Sequence, residues 1–196
     1  MFNLYFTLGF EHILDINGYD HILFILALTI VYSFKELRQV IILVTAFTVG
    51  HSVSLALASL GYIRFSSHWT ELLIPITIII SAGFGFFYKG NQNEKTLHLL
   101  KYISAAVFGL IHGLGFSNYL VSLLGREMSV AMPLLAFNIG LETGQILIVL
   151  TILLLSSVVY KYTKIPKRDW VLSVSGIVIG MSLEIALNRV GFLFQL

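Results

Sequence analysis

An all-α integral membrane protein is the fold class that this sequence predicts, and three observations predict it. The 196 residues are 57% hydrophobic and 11% charged, with a mean hydropathy of +0.90, whereas soluble domains carry about 25% charged residues. The apolar residues gather into runs of bilayer-crossing length, roughly 20 residues. Short loops that hold nearly all the Lys and Arg separate those runs. A single transmembrane domain over 1–196 follows, because no linker or shift in composition divides the chain.

The elements can be justified in order. Residues 2–14 are apolar but too short to span, and they run into Asp15-Ile16-Asn17-Gly18, a turn composition. They predict an interfacial or re-entrant half-helix feeding the first span. Glu11 and His12 interrupt that run and no basic segment precedes it, unlike a cleavable signal. About six spans follow, at 17–34, 39–60, 71–88, 101–122, 131–159 and 170–188. No strong internal repeat is visible among them.

Charge fixes the orientation. Lys35, Arg38, Lys89, Lys95, Lys101, Lys161, Lys164, Lys167 and Arg168 fall on one face, and only Arg64, Arg126 and Arg189 on the other. The positive-inside rule puts the first group in the cytoplasm and both termini outside. A multi-pass protein of the bacterial plasma (inner) membrane is expected, with the lipid bilayer as its principal partner. Trp69 and Trp170 sit near span ends, as an interfacial belt requires. Dispersed basic residues give no nucleic-acid surface. A homo-oligomer is compatible with these features, which do not specify one. The absence of cysteine excludes disulfides, thiolate ligands and a Cys nucleophile.

Against this background the ionisable residues inside the apolar runs stand out. Asp20, His21, His51, His112, Glu142 and Glu184 are each costly in hydrocarbon unless partnered. Helical rise puts Asp20, His21 and His51 in the outer half, with His112 and Glu142 near the midplane. The inner half offers hydroxyls such as Thr45, Ser104, Thr151, Ser156 and Ser173, but neither carboxylate nor imidazole. A one-sided site is expected.

Its donors come from four stretches. In the first, Glu11-His12 and Asp15 precede Gly18-Tyr19-Asp20-His21; a turn at Gly18 brings His12 back over His21. Phe47-Thr48-Val49-Gly50-His51-Ser52 and His112-Gly113-Leu114-Gly115-Phe116-Ser117 each contribute one imidazole. In the fourth, Asn138, Glu142 and Gln145 share one stripe of a helix, a carboxylate between two carboxamides. Imidazole with carboxylate suits Ni²⁺, Co²⁺ or Zn²⁺. The expected ligands are His12, Asp20, His21, His51, His112 and Glu142, with Asp15, Asn138, Gln145 and Glu184 orienting them. Each has a structural alternative, such as a helix end for Asp20 or interhelical hydrogen bonding for Glu142. His68 and His98 are expected in solvated loops.

The stretches GFEHILDINGYDHILFILAL, FTVGHS, HGLGFS and FNIGLETGQ, in this order, make the chain resemble the HupE/UreJ family of small bacterial membrane proteins. The resemblance implies a nickel or cobalt transporter, and it implies that His12, Asp20, His21, His51, His112 and Glu142 correspond to the family's polar motif positions. The third span departs from the pattern, with Thr77 and Gly85 where a Ser and a downstream Asn are expected.

Three functions compete. A permease would use a polar site between helices near the midplane. A membrane-embedded zinc hydrolase would hold Zn²⁺ on three histidines, with Asp20 or Glu142 as general base and a lipid or membrane peptide as substrate. A metal sensor or assembly partner would bind tightly without flux or turnover. The resemblance favours the permease.

Overall fold

A computed structural model describes residues 1–63, 65–88, 95–124 and 130–193. Helix α1 (Phe2–Leu14) ends where Asp15 turns extended, and α2 (Asp20–Thr29) starts beyond it. Next come α3 (Leu37–Ser59), α4 (Ser67–Gly83), α5 (Lys95–Leu124), α6 (Ala131–Thr163) and α7 (Lys167–Leu193). Among the described residues all regular structure is helical, and five segments are long and apolar enough to cross a membrane: Phe34–Ser59, Ser67–Phe87, Lys101–Leu123, Ala131–Thr163 and Lys167–Gly191.

These five correspond to the expected second to sixth spans. The expected first span, 17–34, is instead the ten-residue α2, about 15 Å long and half a bilayer core. Two local features shorten it. The turn at 15–19 delays its start, and Ser33 and Glu36 form a capping box that begins a new helical turn at Phe34. The helix also buries residues all round, including His21, Leu23, Phe24, Ile25, Ala27 and Thr29, against α4, α6 and α7. A helix packed wholly among others need not match lipid thickness. Two further expectations change: His68 lies in the first turn of α4, exposed, and His98 falls within α5, so neither is in a loop.

Polar contacts at the helix ends separate the two faces. At one end Lys167, starting α7, lies 3.9 Å from Glu36 before α3 and over the ring of Tyr88 after α4. At the other, Arg189 of α7 pairs with Glu71 of α4 at 3.0 Å, and Asn118 of α5 donates to Ser67 of α4 at 2.8 Å. Lys167 and Arg189, which the charge reading assigns to different sides, thus lie at opposite ends of α7.

Two helix pairs carry the closest packing. In α1/α6, a side-chain carbon at Gly9 would collide with Phe137 O and one at Gly140 with Phe6 O. In α3/α5, one at Gly50 would collide with Ala106 O and one at Gly109 with Phe47 O. Gly144 and Gly113 extend the seams in the same sense, against Ile13 and Ser54, so both pairs run parallel. Small residues that let backbones touch are how membrane helices bind one another. A short local repeat accompanies this, which the sequence reading missed: Phe6-Thr7-Leu8-Gly9 matches Phe47-Thr48-Val49-Gly50, and Gly109-Leu110 matches Gly140-Leu141. Only six residues join α5 to α6, too few to return a long helix to its start, so the two pairs run in opposite directions.

Candidate metal centre

Histidines from four helices meet between these pairs. His12 is supplied by α1, His21 by the first turn of α2, His51 by α3 and His112 by α5. The ring centroids of His12 and His21 are 4.6 Å apart, those of His12 and His51 6.2 Å, and those of His21 and His112 5.4 Å. His21, His51 and His112 are 5%, 0% and 1% exposed, so the cluster is almost dry. One ligand atom each from His12, His21 and His51 lie within 4.8 Å of one another. Two nitrogens bound to one ion at about 2.0–2.1 Å sit roughly 3.4 Å apart, so small side-chain adjustments close the site.

Two of the imidazoles are held in a definite sense. His112 donates from Nδ1 to Phe108 O at 2.9 Å, the carbonyl one turn earlier. Asp20 Oδ1 lies 3.1 Å from His21 Nδ1 and accepts from the His21 backbone N–H at 3.0 Å. A backbone carbonyl or carboxylate on one ring nitrogen leaves the other with its lone pair outward. In both residues that other nitrogen, Nε2, is buried without a partner, as are His12 Nε2 and both nitrogens of His51. Orphaned buried polar atoms are rare and costly. Here they converge, and they fit a divalent transition metal: neutral nitrogen donors, no thiolate, one carboxylate behind.

Phenylalanines wall the cluster. Phe24 and Phe47 stand 5.1 and 5.2 Å from His112, Phe137 stacks 6.1 Å from His51, and Phe116 lies 4.0 Å from His12, centroid to centroid. These rings lower the local dielectric and so strengthen any charge–ligand interaction inside.

The other expected site residues lie outside the three grouped ligand atoms. Asp20 stands behind His21 and is not among the three grouped ligands. Glu142 accepts a hydrogen bond from Thr45 Oγ1, and one turn on Gln145 Oε1 accepts from Thr48 Oγ1 at 2.7 Å. These form a two-rung polar ladder between α3 and α6. Sequence reasoning missed it, although the matching i, i+3 spacing of Thr45/Thr48 and Glu142/Gln145 was the signal. Asn138 has a buried, unpartnered Oδ1. Glu184 is on the exposed side of α7, and Asp15 is exposed, accepting from Asn17 N at 2.9 Å to cap the turn.

The molecule is therefore a polytopic helical membrane protein with a buried polyhistidine cluster. A family model described as HupE / UreJ protein matches residues 1–189, and the chain belongs to this family. No curated protein and no solved structure matches it.

Proposed function

We propose that this protein is a permease for a divalent transition metal of the nickel or cobalt kind, with His12, His21 and His51 as ligands and His112 as a fourth donor. The observation that carries this reading is the convergence of unpartnered imidazole nitrogens from four helices. Membership of the HupE/UreJ family supports the choice of metal. Imidazole ligation without thiolate favours exchangeable binding, which a transporter needs and a storage site does not. Two short helices, α1 and α2, meet beside the cluster, and broken helices at a midplane site are a recurrent design in transporters. The hydrolase reading gains nothing comparable, because Asp20 is engaged by His21 and Glu142 by Thr45. In this reading the protein sits in the bacterial inner membrane, and the bilayer and the ion are the partners it requires.

The test is uptake of Ni²⁺ and Co²⁺ into liposomes containing the purified protein. Saturable uptake is expected, falling at least ~100-fold in His21→Ala and His51→Ala, in line with loss of a direct ligand from a three- or four-donor site. Uptake that survives both substitutions refutes the site. Bound stoichiometric zinc with no uptake refutes transport.

A further inference from the structure

Beside the cluster, between α1 and α5, lies an open crevice of about 480 Å³ lined by Leu8, Glu11, His12, Asp15, Phe116 and Tyr119. It holds two carboxylates, and among the described residues neither makes an ion pair. Carboxylates at membrane depth almost always face the protein interior or water, so an open crevice bearing two of them suits water rather than lipid. A second cavity of about 250 Å³ reaches Asp20 from the other side, but Arg189 stands in it, paired with Glu71. The α1/α5 crevice thus offers two unpaired carboxylates and, among the described residues, no cation, whereas in the second cavity Arg189 neutralises Glu71 and leaves only Asp20.

We propose, building on the metal-transport reading, that the α1/α5 crevice is the access route for the hydrated cation and that the Phe116 ring is its inner door. Size supports the division of labour. Six waters at about 30 Å³ each need roughly 180 Å³, which the crevice accommodates. The three ligand atoms within 4.8 Å of one another admit only a bare ion. His12 and Phe116 both line the crevice, His12 Nε2 is buried, and the Phe116 ring packs 4.0 Å from the His12 ring while stacking 5.2 Å from Phe137. An apolar constriction of this kind gates by excluding water. Glu11 and Asp15 concentrate the ion and replace some of its waters. Movement of Phe116 then exposes His12 Nε2, and imidazole nitrogens take over from the remaining waters. Tyr119, 5.2 Å from Phe116 and 52% exposed, flanks the mouth.

The chain has no cysteine, so single thiols report cleanly. Co²⁺ binding to the purified protein is followed in stopped flow by visible absorption. Phe116→Ala is expected to speed both binding and release about tenfold, with Kd changed less than threefold, because a door alters both directions equally. The Glu11→Gln/Asp15→Asn double variant should bind about tenfold more slowly, with a weaker dependence on ionic strength and unchanged release. A bulky thiosulfonate on Tyr119→Cys should slow binding, while the same reagent on Asn188→Cys should not. This last comparison stands even if Phe116→Ala fails to fold. Co²⁺ binding with rates indifferent to the acidic pair and to the Tyr119 adduct overturns the route and leaves the centre standing. No Co²⁺ spectrum in the unmodified protein overturns both.

Discussion

Asp20 grips His21 twice, through the backbone N–H and through Nδ1. That grip sets which nitrogen of the ring keeps its lone pair; in the metal-binding reading Asp20 supports a ligand. Asp20→Asn should therefore weaken Co²⁺ or Ni²⁺ binding by roughly 10–100-fold, the usual cost of losing such a support. Thermal stability of the metal-free protein should scarcely change, which calorimetry in detergent can check. A comparable fall in melting temperature would mean that Asp20 acts on the fold. The imidazoles that converge were legible in the sequence because an imidazole inside an apolar run has few structural uses. Their grouping was only half legible. Glu142 meets the same criterion, and the folded arrangement adds what the sequence hid, a hydrogen bond from Thr45 on the facing helix.

At the level of the helices, packing is governed by a handful of glycines. Gly140 and Gly50 each sit where a methyl would strike a backbone carbonyl, whereas a methyl on Gly176 of α7 would meet nothing within 4 Å. Gly140→Ala and Gly50→Ala should each destabilise the protein by about 1–3 kcal/mol, the cost of overpacking. Gly176→Ala should be neutral or slightly stabilising, since helix propensity then favours alanine. Melting curves of the three variants in one detergent settle this, and equal stability across them would contradict the packing. Five of the six expected spans emerged with boundaries shifted by a few residues, because length and hydropathy specify a spanning helix almost by themselves. The shortness of α2 was hidden for the same reason. Ile30-Val31-Tyr32 continue its apolar run, and the signal that stops it, Ser33 with Glu36, is polar chemistry rather than hydropathy.

For the molecule as a whole, the distribution of charge sets the topology. The end bearing Lys167, Glu36 and Tyr88 should face the cytoplasm, and the end bearing Arg189 and Glu71 the exterior. A reporter that is active only outside, fused after the last helix, should be active, and one inserted between α6 and α7 should be silent. The opposite pattern would invert the direction in which the acidic crevice opens. That the sequence allowed this much follows from the bilayer, which leaves a chain few choices.

The glycine seams also have a mechanical meaning. His12 rides on one tightly joined pair, α1 with α6, while His51 and His112 ride on the other, α3 with α5. Backbones in direct contact make each pair a stiff beam, and α2 carries His21 in the gap between the beams. Tilting one beam against the other leaves both glycine seams intact, strains the Thr45–Glu142 and Thr48–Gln145 rungs and changes the spacing among the imidazoles, so affinity for a metal held there would follow the attitude of the beams.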